Sequence, residues 1–115
     1  MNSLNNVYFY DENSQNLYNT FRAADNTLKE QIWILYKAGQ FDYYTMNGIM
    51  NEYNLFLYHT NKMFYYLSLK AQFSDKQLDN AILNNYELSR SYYERVEYLL
   101  TPKPKTPEED WCPIT

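Results

Sequence analysis

Leu17, Phe21, Ala24, Leu28, Ile32 and Leu35 follow one another at steps of 4, 3, 4, 4 and 3. Only the 3.6-residue period of an α-helix gathers such positions onto one stripe, so a first amphipathic helix is expected from about Ser14 to Ala38. Gly39 suits the left-handed backbone that commonly follows a helix. Phe41-Asp42 opens the next helix, with Asp42 as N-cap and Phe41 stapled onto Met46. A second, broader face of Met46, Ile49, Met50, Tyr53, Phe56, Leu57, Met63, Phe64, Leu67 and Ala71 carries that helix to about Gln72. Gln72-Phe73-Ser74 repeats the same grammar, so Ser74 and Gln77 read as a capping box and Phe73 as a staple onto Leu78. The third helix presents Leu78, Ala81, Ile82, Leu88, Tyr92, Val96 and Leu99. It stops at Thr101-Pro102, because the prolines that follow can neither donate to nor fit a helix.

Long helices joined by short turns must lie antiparallel, and a chain of 115 residues buries one modest core. The expected fold is therefore all-α, an antiparallel up-down-up three-helix bundle formed by residues 1–100. A short N-terminal arm, Val7-Tyr8-Phe9-Tyr10, should lie extended across the bundle. Residues 101–115 read as a flexible, Pro-rich acidic tail without a packed fold.

Chemistry is sparse. Cys112 is the lone cysteine and His59 the lone histidine, too few ligands for a zinc site, so neither metal nor cofactor is expected. A Cys112–His59 catalytic pair would need a rigid geometry that a Pro-rich tail does not supply. Glu52, Glu87, Glu94 and Glu97 read as a solvated face, with Arg90 and Glu94 paired across one helical turn. No enzyme is expected. The net charge of −4 disfavours nucleic-acid backbones. Without an apolar run of about 18 residues or a signal-like start, the chain reads as cytoplasmic with no membrane partner.

What remains is a surplus of aromatic surface, since Tyr occurs fourteen times. Tyrosine gives rigid, amphipathic contact area at low entropic cost, which binding surfaces exploit. On the second helix, Tyr44, Asn51, Leu55, Tyr58, Lys62, Tyr65 and Leu69 recur at steps of 7, 4, 3, 4, 3 and 4, opposite the core stripe. This outer stripe is either covered by the arm and the flanks of the other helices or is a docking face. Trp33 falls off the first helix's stripe, and Trp111 follows the acidic run Glu108-Glu109-Asp110, so both are candidate anchors, the alternatives being a wider bundle seam for Trp33 and a Trp111 that folds back onto the bundle. The expected function is a non-enzymatic protein-binding module whose partner carries a basic surface and is blocked by steric occlusion. Abundant Asn, Tyr and Lys with few Gly, Ala and Arg indicate an AT-rich source. Such a source fits low-GC bacteria, their phages and plasmids, and some protists; together with the lack of any enzyme motif, the expectation is an inhibitor or regulator of a phage or other mobile element, by analogy with anti-defence proteins such as anti-CRISPRs. The alternative is a self-assembling accessory subunit, a homodimer through the outer face of the second helix.

Overall fold

The computed structural model of the protein describes residues 3–73 and 75–101. Asp11 fixes where the first helix begins: its Oδ2 accepts from the Ser14 amide at 3.0 Å and from Ser14 Oγ at 2.9 Å. Helix α1 therefore spans Glu12–Lys37 and starts two residues before the periodic pattern indicates. The apolar stripe cannot locate this end, because the first turn is held by a polar cap. At the other end Gly39 adopts φ 68°. Its amide donates to Tyr36 O and that of Gln40 to Leu35 O, both at 3.1 Å, a Schellman closure that only a left-handed residue permits without strain. Helix α2, Tyr43–Lys70, is capped by Asp42, whose Oδ1 accepts from the Thr45 amide at 2.7 Å. Helix α3, Lys76–Leu100, is capped by Asp75 Oδ1, which accepts from the Gln77 amide at 2.9 Å. The cap is thus Asp75; Ser74, expected in that role, lies outside the described residues, and Phe73 is exposed.

The caps make stability acid-sensitive. Backbone amide hydrogen bonds from Ser14 and Thr45 hold the carboxyls of Asp11 and Asp42 below the ordinary aspartate range. A depressed folded-state pKa contributes stability above the unfolded value of about 3.9 and loses it as pH falls through the lowered one. Asp42→Ala is expected to lower Tm at neutral pH, with the gap to the parent narrowing below about pH 4, as thermal circular dichroism would measure.

Pairings across the helices set the topology. Asp25 meets Tyr53 and Tyr18 meets Phe64, so α1 and α2 run antiparallel. His59 meets Asn85 and Arg95 meets Glu52, so α2 and α3 do too, giving the up-down-up bundle. The three contacts are not alike. Helices α2 and α3 approach closely because small residues face each other. Thr60 and Ser89 are fully buried and hydrogen-bonded; Thr60 Oγ1 donates to Phe56 O at 2.7 Å, which leaves Ser89 as donor to Thr60. Accordingly the centre of the α3 stripe is Asn85, Ser89, Val96 and Leu100, whereas Leu78, Leu88 and Leu99 are only half-buried. A hydrophobic pattern misses a seam made of small polar side chains. Rings hold α1 at a distance: Phe21 packs edge-on against Phe64 at 5.7 Å and Tyr86 at 6.0 Å, and Tyr18 against Phe64 at 5.2 Å.

The arm closes the seam between α1 and α2. Asn5 N donates to Asn61 Oδ1 (2.8 Å), Tyr18 OH to Asn5 O (2.7 Å) and Phe9 N to Gln15 Oε1 (2.9 Å). It begins earlier than expected, and the residues it buries are Leu4 and Phe9, while Tyr8 and Tyr10 stand exposed. Alternation along an extended segment sends successive side chains to opposite sides, which separates Phe9 from the tyrosines around it.

Candidate protein-binding surface

Six residues of the predicted interface share the side of α2 turned away from the core. Tyr44 is 84%, Tyr65 59%, Tyr58 56% and Leu55 38% exposed, while Lys62 and Leu69 are half-buried. Lys62 Nζ lies 3.5 Å from Tyr58 OH and 5.4 Å from the ring centroid, so its charge sits over the aromatic face instead of standing free in water. Among the described residues neither the arm nor the flanks of α1 and α3 cover these rings; the arm lies along the α1–α2 seam and meets α2 at Asn61, beside the stripe.

The face continues towards α3. Tyr58 meets His59 edge-on at 5.0 Å, His59 stacks on Tyr92 at 5.5 Å with planes 4° apart, and the Arg95 guanidinium lies 5.7 Å from the Tyr92 ring. Arg95 Nη2 also reaches Glu52 Oε1 at 3.0 Å. Glu52 is thus a partly buried cross-helix partner and not part of a solvated face, and its Oε2 is buried without a hydrogen bond. Arg90 and Glu94, 3.3 Å apart and both exposed, form the surface pair that their spacing implied. The Asn85 amide donates to Ala81 O at 2.8 Å, which orients Asn85 Oδ1 as acceptor towards His59 Nδ1 at 3.0 Å. This assignment makes His59 Nδ1 a donor and commits that side of the ring to holding α2 against α3. Sequence reasoning missed the extension because Tyr92 falls on the apolar stripe of α3 and was counted as core; only the pairing register shows it stacked at the edge.

Trp33 stands apart from this face. It is 51% exposed on α1, stacked on Tyr36 at 6.1 Å with Lys37 Nζ 4.8 Å from its ring, so its aromatic contacts stay within α1. Trp111, the acidic run and Cys112 lie outside the described residues. Among the described residues no group of three or more His, Cys, Asp or Glu could hold a metal ion, and no helix is long and apolar enough to cross a membrane.

A second concave feature went unpredicted. Between α1 and α3 a cleft of about 300 Å³ is walled by Leu17, Phe21, Ala24, Phe56, Tyr86 and Tyr93. Burial, and then the Glu97 carboxylate beside it, push the Tyr93 phenol above its ordinary pKa. The stand-off of α1 opens this cleft, and nothing in the spacing of any one helix encodes it. Compared with known proteins, the chain matches no family model, no curated protein and no solved structure.

Proposed function

We propose that this chain is a non-enzymatic protein-binding module that docks through the outer face of α2. The observation that carries this reading is the exposure of Tyr44, Leu55, Tyr58 and Tyr65 on a side of the helix that the core does not use. Tyrosines so placed bury large apolar area against a partner while their hydroxyls remain free to find hydrogen bonds at the rim. A net charge of −4 favours a partner with a basic surface and speeds encounter with it. Where that surface is one the partner needs, binding blocks it sterically, the mode of an inhibitor such as a phage-borne anti-defence protein.

Tyr58 sits at the centre of the stripe and is the expected hot spot. Tyr58→Ala should weaken a complex by about 2 kcal/mol, roughly thirtyfold in Kd, and leave the Tm nearly unchanged. The check is calorimetric titration of parent and variant against a partner purified on the parent chain; equal affinities would place the interface elsewhere. One observation favours a second reading, in which the partner is another copy: the outer stripe keeps the alternating 4 and 3 steps that let two helices pack along a seam. Light scattering separates the two readings. A monomer at all concentrations eliminates the dimer, whereas a dimer dissolved by Leu55→Lys establishes it.

A further inference from the structure

Four rings from three helices line the α1–α3 cleft as one run. Tyr86 lies 6.0 Å from Phe21, Phe21 6.5 Å from Phe56 and Phe56 5.7 Å from Tyr93, centroid to centroid. The small side chains of Thr20 and Ala24 on α1 leave this trough unfilled, and its volume of about 300 Å³ has room for about ten water-sized groups. The α3 side of the rim is charged. Arg90, Glu94 and Glu97 stand along it, and Arg90 Nε reaches Glu94 Oε1 at 3.3 Å, so those two charges offset each other. Among the described residues no Lys or Arg forms an ion pair with Glu97. Its neighbour Tyr93 adds no charge, because burial and then the Glu97 carboxylate raise the pKa of the phenol. The cleft therefore combines aromatic walls with one uncompensated negative charge at its mouth.

We propose that this cleft binds a small organic ammonium ion, with its apolar body in the trough and its cationic head between the rings and Glu97. Walls and rim select the same class. Ring faces carry the negative lobe of the aromatic quadrupole and attract a cation, most strongly where water is excluded, which is how aromatic cages recognise alkylated ammonium groups. The Glu97 carboxylate adds a formal charge at the mouth, and the net charge of −4 biases approach towards cations. An anionic ligand would meet Glu97 and find Arg90 already paired with Glu94. A neutral ligand would fill the trough and leave Glu97 unused. Size selects a small molecule, because the cleft lies at the lower end of ligand-pocket volumes and a helix with its side chains, about 10 Å across, is too wide for it. The inference is independent of the docking face of α2, since Phe56 enters the cleft from the inner side of that helix.

Benzyltrimethylammonium is the probe, with benzyl alcohol and phenylacetate as its neutral and anionic counterparts. Each is titrated into the full chain while backbone amide resonances are followed. The cation is expected to bind roughly tenfold more tightly than the alcohol and to move the resonances of residues 17–24 and 86–97. Glu97→Gln removes the charge and keeps the shape, so it should bring the cation down to the affinity of the alcohol and leave the alcohol's own affinity unchanged. Ala24→Leu fills the trough and should abolish binding of both, with an unaltered circular dichroism spectrum showing that the bundle persists. Equal affinities for cation and alcohol, tighter binding of phenylacetate, or no saturable shift at all would each overturn the proposal. Shifts confined to Tyr44, Tyr58 and Tyr65 would overturn it too, by placing the cation on the outer face of α2.

Discussion

Phe64→Ala lowers the free energy of unfolding by about 3–5 kcal/mol, a large share of the 5–15 kcal/mol typical of a domain. The side chain is fully buried and touches the rings of Phe9, Tyr18 and Phe21 at centroid separations of 5.8, 5.2 and 5.7 Å. Those rings belong to the arm and to α1, so one substitution loosens both elements from α2. The loss stays near the upper end because α1 is already held off by rings and cannot settle into the space without moving Phe21 and Tyr18. Urea unfolding would show a lower midpoint, and enhanced amide exchange over residues 3–10 would show the arm released at the same time. A loss below about 1 kcal/mol would mean that α1 closes onto the gap and that its stand-off is not fixed by these rings.

Tyr53→Phe removes one oxygen and is expected to cost about 1.5–3 kcal/mol, because the acceptor left behind is charged and buried. Asp25 is buried on α1, accepting from Tyr53 OH at 2.6 Å and from Lys29 Nζ at 3.0 Å. Without the phenol the carboxylate keeps Lys29, whose amine is partly in water and screens it only in part. Replacing both ends together, Tyr53→Phe with Asp25→Leu, should recover much of the loss, since an apolar pair of similar volume avoids desolvating a charge. The coupling measured by the double-mutant cycle is the test, and strictly additive losses would show that the two side chains do not support each other. The pair also has an alkaline signature. Burial, then the hydrogen bond and charge of Asp25, raise the Tyr53 pKa well above the ordinary phenol value. The unfolded chain therefore loses this proton first, so the contribution is intact below about pH 10 and declines as pH rises beyond it. Tyr53→Phe should flatten that alkaline limb.

These two sites show how far local pattern reaches. Leu28, Ile32, Ile49, Phe56 and Val96 fall on stripes of period 3.6 and are fully buried, as the spacing requires. Asp42, Gly39 and Pro102 mark ends, because a cap or a lost amide acts on the backbone beside it. Asp25 falls in the middle of the first apolar stripe and would be read as an interruption. It is buried because Tyr53, twenty-eight residues away, and Lys29, one turn on, give the charge two donors. Thr60, Asn85 and Ser89 make the same point for the α2–α3 seam, where close approach selects small polar side chains over large apolar ones.

The outer stripe of α2 was legible because a helix with one stripe facing the core must turn the residues half a turn away from it outward. Its extension through His59, Tyr92 and Arg95 was not, since it depends on the register between two helices. By itself the sequence determined three helices, their antiparallel order, the Asp42 cap of α2 and the surplus tyrosines on α2, all consequences of interactions within a few residues along the chain. Tertiary structure alone decided which charges are buried, which seam the arm closes and that a cleft remains between α1 and α3. Those outcomes depend on the sizes of side chains that meet from distant positions, and no period along one helix records them.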